Sequence, residues 1–198
     1  MTAAHLIATL LGVGHIRPAP GTWGSLIALP YAWLLHVLGG FPLLVVGLLV
    51  AIPLGWWATG RYTAGGPDHD PGEVVVDELV GQWIALLPLS YAAWSMQIPI
   101  LAMWPGWIAA FALFRLFDIT KPLIIGWADR QGGPWGVMLD DIFAGIFAAL
   151  GVMALAVAQT AISWQNLATS LFEKSTLIGL LSGGFLGASV VLFRGATL

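Results

Sequence analysis

Long apolar runs alternate with short polar knots along this chain, at lengths that match membrane crossings. A spanning helix needs about 20 mainly apolar residues, with about 17–25 common. Residues 41–59, 79–95, 98–117, 139–159 and 176–193 meet or approach that length. Residues 24–38 form a shorter apolar run containing Pro30, which either crosses obliquely or re-enters the membrane. Pro53, Pro88 and Pro105 fall inside such runs, where neighbouring helices can satisfy the carbonyls that a kink frees. The pattern predicts an all-α polytopic membrane bundle of about five or six transmembrane helices. Residues 1–198 are expected to form a single integral domain. The first 14 residues are apolar but lack a charged leader and a small-residue cleavage site, so they read as a short interfacial or re-entrant helix. Residues 161–175 read as an interfacial connector. In the last run Gly179, Gly183 and Gly187 recur every four residues, a small-residue stripe that permits close helix approach within the bundle or across a homodimer.

Composition sharpens this picture by exclusion. Hydrophobic residues make up 59% of the 198 and charged residues 9%, against about 45–50% and about 25% in ordinary soluble domains. So little charge cannot cover a surface in water, which excludes a soluble enzyme, a disordered chain and a nucleic-acid binder. With no cysteine there is no disulfide framework, thiolate nucleophile or Cys-ligated zinc. Of the ten acids, all but Glu173 fall between residues 68 and 141, in knots at 68–78, 115–130 and 140–141. If the runs pair as three hairpins, Arg17, Arg61, Arg115, Lys121, Arg130 and Arg194 share one side with those acids, and only Lys174 lies opposite. The positive-inside rule makes that side cytoplasmic, with both termini on it.

The knots carry the candidate chemistry. In GGPDHDPGEVVVDELVGQW (65–83) a turn precedes a helix expected to start near Pro71 or Gly72, with Glu73 and Asp77 on one face and Glu78 about 100° round. A charge near the bilayer core costs from about 2.5 kcal/mol upwards, which a cation shared among carboxylates would remove. Metal binding and simple hydration at the interface both account for this pair. In FRLFDITKP (114–122), Arg115, Asp118 and Lys121 are spaced three apart on one helix face, and Pro122 stops the helix. They make either a structural ion-pair set or cations for a phosphate beside a carboxylate for a metal, an arrangement that suits Mg²⁺. In GGPWGVMLDDIFAG (132–145) a glycine-rich turn leads into a helix with Asp140 and Asp141 expected in its first two turns. Ala144 and Gly145 leave room there for another helix. This knot argues most strongly for a metal. In RPAPGTWGS (17–25), Thr22 is expected to cap a helix starting at Trp23, whose free N–H groups would bind an anion. His5, His15, His36 and His69 are scattered without metal-ligand spacing. The 11 Trp residues suit interfacial belts. Taken together, the knots bring carboxylates and cations to one membrane surface, a composition suited to a divalent ion bridging a phosphate.

The strings APGTWGSL (19–26), DPGEVVVDELVGQW (70–83), FRLFDITKP (114–122) and the stretch 128–145, with GG at 132–133 and DDIFAG at its end, resemble bacterial phosphatidylglycerophosphatase A in order and spacing. The resemblance covers a motif-bearing core of about residues 10–150 and leaves 160–198 as an extra connector and C-terminal transmembrane helix. It implies a Mg²⁺-dependent lipid phosphatase of the bacterial inner (cytoplasmic) membrane. Such an enzyme converts phosphatidylglycerophosphate to phosphatidylglycerol and phosphate. The family's signature falls here on Thr22, Asp77, Glu78, Arg115, Asp118, Lys121, Asp129, Asp140 and Asp141. On this resemblance Asp77, Glu78, Asp140 and Asp141 hold the metal, and Asp118 is a base or further ligand. Arg115, Lys121 and the helix start at Thr22 hold the phosphate. Asp129 orients Lys121 or Arg130, which makes Asp118, Lys121 and Asp129 the catalytic set. Hydrolysis by a water that the ion activates, and hydrolysis through an aspartyl-phosphate, both stay open.

Three other functions compete with this one. An ion- or proton-coupled transporter should place charges near the bilayer midplane and show repeat symmetry, whereas here the acids crowd one face and no repeat is visible. A non-catalytic subunit leaves the acid knots unexplained. A phosphatase for another lipid phosphate remains open.

Overall fold

Apolar segments in a bilayer must satisfy their own backbone hydrogen bonds, and helices do so within one segment. In the computed structural model, which describes residues 2–66 and 71–159, every regular element is helical. The expected span at 176–193, the connector at 161–175, the Gly179–Gly183–Gly187 stripe and His69 lie outside the described residues. The elements are α1 (Ala3–Ala8), a 3₁₀ turn at Val13–His15, α2 (Pro20–Thr63), α3 (Val76–Met96), a 3₁₀ turn at Ile100–Met103 leading into α4 (Trp104–Thr120), α5 (Ile124–Asp129) and α6 (Gly133–Gln159).

Among the described residues three helical stretches are long and apolar enough to cross a membrane: Pro20–Thr63, Ile100–Thr120 and Gly133–Ala158. The first is broken at Gly39 and Gly40, and Gly40 takes a positive φ of 66° that glycine adopts without strain. Its arms, 20–38 and 41–63, run antiparallel. Gly24 on one arm lies against Val75 and Gly55 on the other against Val76, while Gly47 faces Leu35. The run at 24–38 is therefore the inner part of an arm that begins at Pro20 and measures about 28 Å at 1.5 Å per residue. Pro53 and Pro88 lie within α2 and α3 as anticipated. Pro105, expected as a kink, instead occupies the first turn of α4, where its missing N–H costs nothing.

Helix α3 is the axis of the bundle. Most of its side chains are buried, and it packs against α2, α4 and α6. Most of the large apolar side chains left exposed, such as Leu34, Leu49, Ile108, Leu116 and Leu150, sit on α2, α4 and α6. That places the lipid-facing perimeter on the outer helices.

The tightest helix contact is between α3 and α6. A Cβ on Gly81 would stand 2.6 Å from the Asp141 carbonyl oxygen and overlap the Phe114 ring, and a Cβ on Gly145 would overlap the Gly81 carbonyl. Small residues at such a crossing let the backbones meet. The room expected at Ala144 and Gly145 is occupied by α3. Among the described residues the charged side chains gather at one end, where Gly60 of α2 touches Pro134 of α6 and Gly21 touches Glu78 of α3. Trp94, near the other end of α3, packs on the break at Gly40.

Overpacking a tight contact costs about 1–3 kcal/mol. Gly81→Ala is therefore expected to lower the thermal unfolding midpoint in detergent micelles. Gly72→Ala, at a position with open space around it, should stay within about 0.5 kcal/mol of the parent. Equal stability of the two variants would contradict the crossing.

Candidate active site

The first knot folds differently from its periodicity. Pro71 starts a turn closed by the Val74 N–H on the Pro71 carbonyl (2.9 Å), and the Val75 N–H donates to the Ala8 carbonyl (2.8 Å). Three consecutive β-branched valines suit this semi-extended path, and α3 begins at Val76 rather than near Pro71. Glu73 thus stands outside the helix and off the face of Asp77. Its carboxylate pairs with Arg17 at 2.6 Å on the exposed edge. Asp77 and Glu78 occupy the first turn of α3, where the helix dipole favours negative charge. The Glu78 N–H donates to Asp77 Oδ1 (3.0 Å).

On α4 the expected Arg115–Asp118 pair forms at 2.7 Å, with both side chains only 15% exposed. Arg115 also lies 4.0 Å from Glu78 and donates to Ser25 Oγ at 3.4 Å. Lys121 does not share this face. Helix α4 ends at Thr120, and Lys121 turns into the left-handed region (φ 45°), which swings its side chain away. Its ammonium pairs instead with Asp129, the last residue of α5, and with Asp140 Oδ2 at 2.8 Å. Burial alone would lower the Lys121 pKa, but these two carboxylates hold it above the ordinary lysine value.

Helix α6 begins at Gly133, the second of two glycines with positive φ, and this places Asp140 and Asp141 in its third turn rather than its first two. Both are buried, at 6% and 3% exposure. The glycine crossing then sets Asp141 beside the first turn of α3. Two groups result, Asp77–Glu78–Asp141 and Asp118–Asp140–Asp141, each with one oxygen per residue within 4.8 Å of the others. Asp141 belongs to both. Glu78 Oε2 and Asp141 Oδ1 are buried with no hydrogen-bond partner among the described residues. Buried acceptors of this kind call for a cation or a donor, and an all-carboxylate oxygen set is the donor chemistry of Mg²⁺ or Ca²⁺.

The fourth motif also departs from expectation. Helix α2 begins at Pro20 after Ala19, and Thr22 lies inside its first turn with its N–H on the Ala19 carbonyl (3.0 Å). Thr22 is therefore not the cap. The residue at the site is Gly21, where a Cβ would overlap Glu78 Oε1 and stand 3.3 Å from Arg115 Nη1. Two polar residues escaped the sequence reading. Ser25 is buried and donates to the Gly21 carbonyl (2.8 Å). Gln82 is fully buried one turn after Glu78. The available signal for Gln82 was a lone amide four residues from an acid in an otherwise apolar run. His5 and His15 meet through their Nε2 atoms at 3.3 Å, with the Tyr62 ring tilted against His5, but among the described residues neither joins a carboxylate group.

The chain is similar to known proteins over most of its length. The family model for phosphatidylglycerophosphatase A matches residues 6–156. A Haemophilus influenzae protein named phosphatidylglycerophosphatase A is 38% identical over 153 residues, covering 76% of this chain and 87% of the relative. The Escherichia coli K12 protein of the same name is 35% identical over 147 residues, covering 73% and 78%. A Bacteroides thetaiotaomicron protein, provisionally named a phosphatidylinositol-3-phosphatase, is 39% identical over 148 residues, covering 72% and 86%. No solved structure matches the chain.

The two arginine pairs should respond differently to truncation. Removing one partner of a largely buried pair costs about 3–5 kcal/mol, so Arg115→Ala should destabilise the protein strongly. Arg17→Ala breaks an exposed pair and should cost about 0–1 kcal/mol. Thermal unfolding of both variants in the same detergent checks the contrast.

Proposed function

The chain belongs to the phosphatidylglycerophosphatase A family, and from that premise we propose that it hydrolyses the terminal phosphomonoester of phosphatidylglycerophosphate. Water oxygen bonds to phosphorus, the bond from phosphorus to the glycerol oxygen breaks, and that oxygen leaves protonated as phosphatidylglycerol with release of inorganic phosphate. The observation that carries this reading is the pair of carboxylate groups sharing buried Asp141, with Arg115 against them. Mg²⁺ fits the oxygen donors and the two orphaned acceptors. Asp77, Glu78 and Asp141 would hold it, with Asp118, Asp140 and Asp141 as the second set. When bound, the ion supplies Lewis-acid polarisation and charge neutralisation at the phosphoryl oxygens.

The chain's own groups have separable tasks. Arg115, locked by Asp118 and beside Gly21 at the start of α2, is the cation placed to hold the phosphate. Membership of Asp118 in a ligand group favours the role of further ligand over that of base. Lys121, engaged by Asp129 and Asp140, positions Asp140 and stays charged. Thr22, one residue past Gly21, is near enough in sequence to contribute to phosphate binding from the same helix turn.

Among the described residues the acids and basic residues gather at one end of the bundle, and the positive-inside rule would make that end cytoplasmic. The substrate would then enter sideways from the inner leaflet of the bacterial cytoplasmic membrane. The motif-bearing core at 10–150 would suffice for this chemistry, with 160–198 as an accessory segment. The name of the Bacteroides relative makes phosphatidylinositol 3-phosphate the comparison substrate.

Purified protein in mixed micelles is expected to release phosphate from phosphatidylglycerophosphate with Mg²⁺ and to stop on addition of EDTA. Loss of an outer partner of a metal ligand typically costs about 10–100-fold, so Asp141→Asn should lose more than that while retaining membrane insertion. Full activity in EDTA, or faster release from phosphatidylinositol 3-phosphate, would refute the assignment.

A further inference from the structure

Gln82 is 0% exposed, and neither its Nε2 nor its Oε1 has a hydrogen-bond partner among the described residues. An amide buried in this way carries the desolvation cost of two polar groups at once. Its place in the bundle is well defined. It lies four residues past Glu78, on the same face of α3 and about 6 Å further along the axis. The first arm of α2 runs alongside in the same direction. Gly21 stands beside Glu78, and the Trp83 indole N–H donates to the Ala28 carbonyl at 2.9 Å. Gln82 is therefore level with the turn 25–28, where buried Ser25 accepts from Arg115. Arg115 Nε is a further buried donor without a partner among the described residues. A second polar layer thus lies one helical turn deeper than the carboxylates.

The chemistry of this layer selects its ligand. A metal ion would leave the amide N–H donors unsatisfied, and a phosphate would leave Oε1 unsatisfied. A hydroxyl both donates and accepts, and so satisfies both ends of one amide. The layer lies on the side toward the bilayer interior, where the tails of a lipid held by its phosphate must depart. The unit that carries the phosphate would be held between.

We propose that Gln82 is a specificity-determining residue that reads a free hydroxyl on the phosphate-bearing unit of the lipid headgroup. The substrate class is then a lipid whose terminal phosphomonoester sits on a polyol, such as the glycerol unit of phosphatidylglycerophosphate. This inference rests on the phosphatase reading above.

The test compares kcat/KM of the full-length protein on phosphatidylglycerophosphate and on its deoxy analogue, in which propanediol replaces the phosphate-bearing glycerol. The parent protein is expected to prefer the hydroxylated lipid by about 10–100-fold, the range for a hydrogen bond whose loss strands a buried partner. In Gln82→Met, close in shape but without the amide, that ratio should fall toward one. Gln82→Glu, which keeps the acceptor and loses the amide donors, should also lower the ratio and serves if the first variant does not fold. A merely structural Gln82 would change both substrates together and leave the ratio unmoved, which overturns the proposal. Equal kcat/KM of the parent on both lipids overturns it as well, while the phosphatase reading stands. Hydrolysis of neither lipid by the parent sinks the phosphatase reading and this inference with it.

Discussion

The carbonyl of Gly81 lies where a side chain on Gly145 would have to go, and the carbonyl of Asp141 lies close to where one on Gly81 would go. Ordinary helix packing keeps axes about 8–10 Å apart because side chains stand between them. Removing the side chains on both helices at one level lets the backbones touch. That approach brings the third turn of α6 against the first turn of α3. Asp141, one turn before Gly145, thereby reaches Glu78 and Asp77, which lie three and four residues before Gly81. Phe114 fills the space at the same crossing and fixes α4 in register, so that Arg115 and Asp118 complete the group. The acidic site is a consequence of two missing side chains.

Such proximity has an electrostatic cost that shapes everything around it. Among the described residues, Asp77, Glu78, Asp118, Asp140 and Asp141 face two nearby cations, Arg115 and Lys121. Each cation contacts more than one carboxylate, and Lys121 is held above its ordinary pKa by that company. Two carboxylate oxygens, Glu78 Oε2 and Asp141 Oδ1, remain buried and unpartnered among the described residues. In a low-dielectric environment unpaired buried charge is expensive, so the fold is built around a demand for further positive charge. The same reasoning separates these ion pairs from Arg17–Glu73. That pair is exposed, and it contributes little beyond fastening a loop.

Much of this was legible in the chain because lipid imposes simple rules. Span lengths, the gathering of acids at one end and the pairing of Arg115 with Asp118 follow from apolar run length and helical spacing. The glycine next to Ala144 pointed to the helix contact. The misplaced details have two causes, tertiary contact and local turn chemistry, each overriding periodicity. Contact with Ala8 keeps 73–75 out of the helix, and the left-handed turn at Lys121 removes it from the face of Arg115. Helix α2 starts two residues before Thr22 because Pro20 suits a first turn. Gln82 escaped notice because an amide in an apolar run has no motif, and only burial without a partner singles it out.

The N-terminal segment limits how much charge the site must carry. Had α3 continued back to Gly72, Glu73 would lie one turn before Asp77 on the same face and add a sixth carboxylate to a cluster already short of cations. Instead the Ala8 carbonyl takes the Val75 N–H, and Gly14 packs so closely on Glu73 that a Cβ there would overlap its carbonyl. These contacts hold the stretch before α3 extended and turn Glu73 outward, where Arg17 of the following loop pairs with it. A short apolar helix of six residues is too small to be stable alone. Packed on α2, it supplies the backbone acceptor that decides where α3 begins and so which acids belong to the site.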